Sequence, residues 1–421
     1  MVAKILPAFI ILIALMLLNF PIYISILASG MYIMIFVNHM PLQTIFTATF
    51  SGLTKNSLLA IPFFILAGNL ISEGTLGKRL INCFSSLFKN VRGGLSIACL
   101  ISNAIFGAIS GSPPAATAVF AKIIHKPLEE AETKELATGL VVSAAGLSSI
   151  IPPSVTMIIY GVVTETSVST LFISGILPGI LIVILLGAYL VFRCKPGSGE
   201  KTDWRGVLHA WVSGIPVLLL PILVLGGIYM GFVTPTEAGA LSAIYCAVIS
   251  LVMREIKPRD FIGILKRSFR TIGQVFILIA VSSFFARALT VSQFPQFVTS
   301  SFEGFTPTRF LLMLNILLLI VGCFFDPSAA ILILAPMLLP AALTLGINPI
   351  HLGIVFTVNL VIGMFTPPFG LNIFVAQSTL GLDIKYISKC LVPFIIIYIV
   401  ALFVLTYIPD ICLWLPQLMY R

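Results

Sequence analysis

Charged side chains are scarce in this sequence. Asp, Glu, Lys and Arg make up only 9% of the 421 residues, whereas 59% are hydrophobic. Soluble domains carry about a quarter of charged residues. The composition therefore excludes a soluble globular fold. It predicts an all-α polytopic membrane protein, because an α-helix hydrogen-bonds its backbone polar groups within a single membrane-spanning segment of the chain.

Motifs of the common enzyme classes are absent as well. The sequence has no P-loop, no HExxH and no GxSxG, its four histidines are far apart, and its seven cysteines form no CxxC pair. We therefore expect no ATP site, no metal cluster, no disulfides and no enzymatic activity. The net charge of +9 is attributed to cytoplasmic loops rather than to a nucleic-acid partner.

Internal repetition is present at a nearly constant distance. The pairs Pro152–Pro153 and Pro367–Pro368 are 215 residues apart, and so are Gly107 in "GAISGSPPAA" and Gly322 in "GCFFDPSAA". A constant offset between several motifs indicates tandem copies. We predict repeat 1 at residues 1–200 and repeat 2 at residues 201–421.

The positions of Lys and Arg predict the topology of these repeats. They cluster in 78–92, 193–205 and 254–270, which the positive-inside rule places in the cytoplasm. The halves then run in opposite directions, which is an inverted repeat and a common transporter architecture.

Each predicted repeat divides into two parts. Scaffold helices occupy 1–92 and 211–290. A re-entrant hairpin followed by a helix broken at a double proline occupies 94–192 and 310–408. Two surface helices, at Pro41–Leu53 and Pro258–Phe269, are also predicted from their helical spacing of apolar residues.

The stretch "FGAISGSPPAATA", from Phe106 to Ala118, is unusual inside an apolar region. Glycine loosens a helix and proline removes a backbone donor. In lipid, each freed backbone group needs a partner in the protein or in a water-filled cavity. The stretch is therefore either a site for kinked, closely packed helices or a binding site, and the repeated motifs favour binding.

Three motifs together resemble a known family. "GAISGSPPAATA", "FVTPTEAGA" at Phe232–Ala240 and "MFTPPFGLNIFVA" at Met364–Ala376 are similar to the large membrane subunit of tripartite ATP-independent periplasmic (TRAP) transporters. The resemblance covers nearly the whole chain. Pro113 departs from it, because similar proteins carry a serine there, which puts in doubt a side-chain oxygen at that position.

The resemblance implies an elevator-type ion-transporter fold in the bacterial cytoplasmic membrane. It implies sodium-coupled uptake of an organic acid anion, such as a C4-dicarboxylate or a sugar acid, delivered by a periplasmic binding protein. It also implies a small four-helix membrane subunit, which we expect to be a separate polypeptide.

Sodium prefers oxygen donors, which broken helices supply as free carbonyls. We expect two sodium sites, one in each repeat. The first is predicted from Ser110, Gly111, Ser112, Gly146, Ser149 and Pro152, and the second from Gly322, Asp326, Gly363, Thr366 and Phe369.

Two acidic residues have alternative roles. Asp326 could bind sodium, carry a proton or cap the following helix. Glu237, at the start of a span, is explained by the helix dipole or by contact with a membrane partner.

Substrate contacts are expected at helix N-termini, whose free N–H groups favour anions. The candidates are Pro114, Pro153, Pro368, Asn372 and Arg287. Arg287 could instead extend to the membrane surface, and Asn372 could form an interhelical hydrogen bond.

Other functions stay open at this point. The nearest alternative is a sodium- or proton-coupled organic anion symporter or antiporter that needs no binding protein. A membrane enzyme acting on lipids is more distant, because no catalytic cluster is present. A passive channel, which would lack ligand-linked coupling, is a third alternative. The sequence leaves open the substrate, sodium against proton coupling, and the oligomeric state.

Overall fold

A computed structural model describes residues 2–18, 20–41, 43–196 and 203–419, and these ranges contain helices and no strands. Nine helices in the described part of the chain are long and apolar enough to cross a membrane. The prediction of an all-α, multi-pass membrane protein is therefore confirmed. The predicted boundary between the repeats, at residues 200 and 201, lies outside the described residues.

Helices of the first half follow one another with short connections. They are α1 (Val2–Leu17), α2 (Ile22–Tyr32), α3 (Gln43–Ser51), α4 (Ala60–Glu73), α5 (Leu76–Phe88), α6 (Gly94–Ser110), α7 (Pro113–Ala131), α8 (Lys134–Ala144), α9 (Leu147–Ile150), α10 (Val155–Val163) and α11 (Val168–Arg193). A π-helical turn, Ile33–Val37, extends α2, and a 3₁₀ turn, Asn56–Leu59, precedes α4.

The second half has a similar sequence of elements. Its helices are α12 (Trp204–Tyr229), α13 (Pro235–Val252), α14 (Pro258–Val291), α15 (Phe294–Ser301), α16 (Pro307–Phe324), α17 (Pro327–Thr344), α18 (Pro349–Met364), α19 (Leu371–Leu380), α20 (Ile384–Tyr407) and α21 (Asp410–Met419).

Two helical hairpins form where the sequence predicts them. Gly111 and Ser112 join α6 to α7, and Phe325 and Asp326 join α16 to α17. The two helices of each hairpin pack against each other. Their re-entry into a membrane stays a prediction, as does the inverted repeat.

The two broken helices also form. The first is α8, α9 and α10, interrupted at Ile151–Ser154, and the second is α18 and α19, interrupted at Phe365–Gly370. The Pro152–Pro153 and Pro367–Pro368 peptide bonds at these breaks are cis.

Each hairpin crosses a broken helix at a small residue. A side chain at Gly107 would overlap the backbone of Ser148, and one at Gly363 would overlap the backbone of Gly322. Each member of the first pair is 215 residues from its counterpart in the second. The two halves also interlock, since α7 packs on α19 and α10 packs on α17. The hairpins and broken helices therefore form one continuous body.

Three helices, α5, α15 and α21, were not predicted as separate elements. The residues Lys78 and Arg79, which the topology argument placed in a loop, lie in α5. Apolar residues recur there with helical period, so α5 buries Leu80 while Lys78 is exposed.

Arg79 joins α5 to the segment after α13. Its guanidinium is 2.7 Å from a carboxylate oxygen of Glu255, which also accepts hydrogen bonds from the backbone N–H and hydroxyl of Thr75. Burial alone would raise the pKa of Glu255, but the hydrogen bonds from Thr75 and Arg79 outweigh it and lower the pKa. The two halves of the chain are thus tied by an ion pair with a buried carboxylate.

The prediction of a separate surface helix at 258–269 is wrong. It continues without a break into the next span, so α14 runs over 34 residues, or about 50 Å at 1.5 Å per residue. The other predicted surface helix forms as α3, with Ile45 buried and Phe46 and Phe50 each 65% exposed.

Candidate functional site

The two hairpin tips meet at a small cavity, which we call the tip cavity. It has a volume of about 150 Å³. The tip of the first hairpin, the first broken helix and the tip of the second hairpin form one side. Residues of α4 and α14 form the other. It is therefore the place where the hairpins and the broken helix meet the remaining helices.

The first tip is shaped by a left-handed glycine. Helix α6 ends at Ser110, and Gly111 has φ +56°, with its N–H donating to the Gly107 carbonyl at 2.9 Å. Glycine adopts this conformation without the cost that a Cβ would add. A Cβ at Gly111 would also lie 3.4 Å from the Pro153 carbonyl oxygen. The glycine thus brings the backbone of the tip to the break in the first broken helix.

The N-terminus of α7, in the first hairpin, has few free backbone N–H donors. Helix α7 begins at Pro113 and continues with Pro114. Two of its first N–H groups are therefore missing, and the N–H of Ala116 bonds to the Ser112 carbonyl. This N-terminus is a poor anion site, so any anion needs donors from elsewhere.

Hydroxyl groups surround the break in the first broken helix. Ser149 is buried, and its hydroxyl oxygen accepts a hydrogen bond from Thr156 at 3.4 Å. The Ser154 hydroxyl donates to the Ser149 carbonyl at 2.7 Å and also caps α10 by accepting from the Met157 N–H. Ser149 and Thr156 line the tip cavity, so this wall offers two hydroxyl oxygens.

The second tip carries a carboxylate. Asp326 is the N-cap of α17 and accepts a hydrogen bond from the Ser328 N–H at 2.9 Å. The capping role considered for this residue is therefore confirmed. Its side chain is nevertheless exposed, and it lines both the tip cavity and a second cavity. Capping leaves the carboxylate free to interact with a cation.

The second cavity, which we call the lateral cavity, is larger and mainly apolar. Its volume is about 600 Å³, and it lies between the second hairpin, the second broken helix and α1. Gly322 and Phe369 line it together with Asp326. Phe369 is 53% exposed and packs on Phe324 with ring centroids 5.3 Å apart. Thr366 lies in the neighbouring break and donates its hydroxyl hydrogen to the Ile362 carbonyl at 2.6 Å.

The wall formed by α4 and α14 was not predicted. A side chain at Gly68 of α4 would overlap the backbone of Ser110, so α4 packs directly on the first tip. The Asn69 amide donates to the Ser268 hydroxyl at 2.9 Å and joins α4 to α14. Asn69 and Thr271 add polar groups to the tip cavity. No motif marks these residues, since the contact joins segments far apart in the chain.

The structure brings several of the predicted residues together and separates others. Those that line the tip cavity are Ser110, Gly111, Ser112, Pro114, Ser149 and Asp326. Gly146 instead faces Val361 of α18. Pro152 is buried and Pro368 is exposed.

Of the five predicted substrate contacts, Pro114 lines the tip cavity and the other four do not. Asn372 is fully buried, and neither polar atom of its amide has a partner among the described residues. Arg287 lines a different cleft, on the distal half of α14. Glu237 forms a capping box with Thr234, which confirms its structural explanation.

The family model and the relatives that match this chain point to the same protein family. Residues 9–411 match the family described as "Tripartite ATP-independent periplasmic transporter, DctM component". The chain is 40% identical to the C4-dicarboxylate TRAP transporter large permease protein DctM of Pseudomonas aeruginosa over 368 residues, or 86% of each chain.

A fused relative and a solved structure complete the comparison. The isethionate TRAP transporter permease protein DctMQ of Oleidesulfovibrio alaskensis is 34% identical over 93% of this chain, which spans 63% of that protein. The YdaH transporter of Alcanivorax borkumensis has a similar fold, with a TM-score of 0.60 and 17% identity over 89% of this chain and 88% of that one. The chain therefore belongs to the DctM family, the large permease component of TRAP transporters, and is a transporter subunit rather than an enzyme.

Proposed function

We propose that this chain is the permease of a sodium-coupled uptake system for an organic acid anion, such as a C4-dicarboxylate or a sugar acid. One observation carries the proposal. Both hairpin tips and the first broken helix converge on the tip cavity, which contains hydroxyl groups and a single carboxylate. Polar groups at bilayer depth are costly, and their convergence is typical of a transport site.

The donor set of the cavity fits sodium. Sodium is a hard cation that prefers oxygen ligands, and Ser110, Ser149 and Thr156 offer hydroxyl oxygens there. Asp326 supplies a carboxylate between the tip and lateral cavities, with Thr366 in the adjacent break. Ser110 and Ser149 would belong to a first ion site, and Asp326 and Thr366 to a second.

Two surfaces in contact support an elevator mechanism. The hairpins and broken helices form one body, and the tip cavity lies where that body meets α4 and α14. Movement of the hairpin body along α14 would carry the tip cavity from one side of the membrane to the other. Sodium and substrate would favour closure only if they bind the closed tips more tightly than the open ones.

The family suggests the partners. A periplasmic binding protein would deliver the substrate, and a small four-helix subunit would assemble with this chain in the bacterial cytoplasmic membrane. The isethionate relative is named DctMQ, so the small subunit could also be fused in some systems. The name of the Pseudomonas aeruginosa relative, a C4-dicarboxylate permease, supports the proposed substrate class.

Thermal unfolding tests the sodium sites without knowledge of the substrate. The purified chain, with its small subunit, is melted in sodium and in potassium at constant ionic strength. A ligand that binds only the folded state adds about 2.7 kcal/mol at 100 times its dissociation constant. We expect a saturable rise with sodium that Ser110→Ala and Thr366→Ala reduce. Ser378→Ala is the control, because Ser378 is exposed on α19 outside both cavities. Equal melting in both cations would contradict the sodium sites.

Proton coupling is a second candidate, because Asp326 is exposed to both cavities. It predicts that transport follows a proton gradient without sodium and that Asp326→Asn abolishes this dependence. Uptake that proceeds without any binding protein would instead favour a self-sufficient symporter of the same architecture.

A further inference from the structure

A polar cleft lies on the distal half of α14, and we call it the outer cleft. It has a volume of about 550 Å³ and is bounded by α3, α14, the end of α10 and the middle of α17. The tip cavity lies instead beside Thr271 and Val275, in the part of α14 next to the basic segment 254–270. The outer cleft thus lies toward the opposite end of the protein.

The charged residues that line the outer cleft are both cations. Lys55 donates to the Val162 carbonyl at 2.8 Å and is 3.1 Å from Glu165. Arg287 is exposed, and within the described ranges of the chain it has neither an ion pair nor a hydrogen bond through its side chain. With Glu165 included, the cleft keeps one net positive charge. A guanidinium without an anion, beside a lysine, favours an anionic ligand.

Hydroxyl groups complete the lining. Thr44, Thr47 and Ser51 lie on one face of α3, opposite Ser283 on α14. Ser282 is 1% exposed, and its hydroxyl has no partner in the part of the chain that the structure describes. Because an unpaired buried hydroxyl is costly, its position in the wall of a cationic cleft indicates a ligand that accepts a hydrogen bond.

Both cavities share one face of α14. Thr271 and Val275 line the tip cavity, whereas Ser282, Ala286 and Thr290 line the outer cleft. The steps along this face follow helical periodicity. The nearest lining residues of the two cavities on this helix, Val275 and Ile279, are about 6 Å apart along the axis at 1.5 Å per residue, and the cavities share no lining residue in the described part of the chain. The outer cleft is therefore a separate site, next to the tip cavity on the same helix face.

We propose that the outer cleft is a second anion site, which binds a carboxylate group of the incoming substrate before the substrate reaches the tip cavity. Arg287 contacts the carboxylate, Lys55 adds positive charge, and the hydroxyls of Ser282 and Ser283 donate hydrogen bonds. The identity of the anion rests on the proposed function, whereas the preference of the cleft for anions does not.

Cysteine labelling measures this preference directly. Thr290 is exposed in the cleft, and six of the seven native cysteines are buried, with Cys323 partly exposed. The Thr290→Cys variant, in spheroplasts that contain the whole transporter, is treated with an anionic sulfonatoethyl or a cationic trimethylammonioethyl methanethiosulfonate. The parent chain provides the background rate.

We expect the anionic reagent to react faster than the cationic one. Arg287→Gln should lower the anionic-to-cationic rate ratio by roughly three- to tenfold, as expected for a unit charge at a partly screened site. Lys55→Gln should also lower it, because the change removes a unit positive charge and leaves Glu165 unpaired. Succinate should slow the labelling. Arg309→Gln is the matched control, because Arg309 is also exposed but does not line the cleft.

Transport kinetics separate this site from the tip cavity. For uptake of succinate, Arg287→Gln should raise KM several-fold while kcat is retained, and Arg309→Gln should change neither. A rate ratio that does not respond to Arg287→Gln overturns the proposal, and so does labelling that no carboxylate slows. If the wild type takes up no organic acid but its labelling still depends on Arg287, the proposed function fails while the anion preference of the cleft stands.

Discussion

The two hairpin tips carry different residues at equivalent positions. Gly111 in the first tip and Asp326 in the second are 215 residues apart, the same offset that relates the double prolines. Gly111 ends α6 in a left-handed conformation and leaves the first tip without charge. Asp326 is instead extended, caps α17 and brings a carboxylate to the cavity.

The two tips therefore differ in both backbone conformation and chemistry. The neutral tip approaches the Pro153 carbonyl closely, which suits backbone ligation of an ion. The acidic tip lies between two cavities, where the Asp326 carboxylate is placed to interact with a cation. We therefore expect function to depend on side-chain size at Gly111 in the first tip and on side-chain charge at Asp326 in the second.

The largest effect on stability is expected beneath the tips, where the hairpins cross the broken helices. Gly107→Ala and Gly363→Ala each place a methyl group against the backbone of Ser148 or Gly322. Overpacking of this kind costs about 1–3 kcal/mol, so the melting temperature should fall in both variants. Gly226→Ala is the control, since nothing lies within 4 Å of an added Cβ there. Equal melting of all three variants would mean that the crossings are loosely packed.

The neutral tip provides the next test. Gly111→Ala forces a side chain into the left-handed region at φ +56°, which costs about 1–2 kcal/mol. Its Cβ would also meet the Pro153 carbonyl oxygen at 3.4 Å, so sodium stabilisation should weaken beyond the loss of stability itself. Gly346→Ala is the matched control, because Gly346 has φ +75° and open space around it. A loss of sodium response in both variants would show that strain alone is responsible.

The sequence predicted the tips because their signals are local. Proline and glycine act on the backbone within one or two residues, so "GSPPAA" and the two double prolines show where helices end. The same reasoning found Asp326, because a carboxylate in an apolar region is conspicuous. Whether those residues bind sodium stays a prediction.

The opposite wall could not be predicted from local signals. Asn69 and Ser268 are 199 residues apart and look like ordinary polar residues of two spans. Arg287 was noticed only for its charge, and the residues that line the cleft with it come from α3, α10, α14 and α17, which are far apart in the chain. Helix α5 was predicted as a loop because of the adjacent basic residues Lys78 and Arg79, although the residues on either side of them are buried.

The acidic tip is tested by separating its charge from its cap. Asp326→Ala removes the hydrogen bond to the Ser328 N–H, which costs about 0.5–2 kcal/mol. Asp326→Asn keeps a good cap and removes only the charge, so it should melt like the wild type while uptake falls at least roughly tenfold. Uptake close to the wild type in Asp326→Asn would reduce this residue to a cap and make the two tips chemically alike.

The smallest expected effect is on the pH dependence of stability. There, the contribution of Glu255 has to be separated from that of Asp326. Hydrogen bonds from Thr75 and Arg79 lower the pKa of Glu255 below its ordinary value of 4.5 despite its burial. A depressed pKa stabilises the fold at pH values above 4.5, and this stabilisation is lost as the pH falls through the folded-state pKa.

Glu255→Gln should therefore flatten the acid limb of the melting curve below about pH 5 and lower stability at pH 7 by about 1 kcal/mol or less. Glu73→Gln is the matched control, because its pair with Arg267 is exposed on both sides and should contribute little. Any pH dependence that remains in Glu255→Gln and disappears in the double variant with Asp326→Asn belongs to the acidic tip. An acid limb unchanged by Glu255→Gln would show that this ion pair does not stabilise the fold.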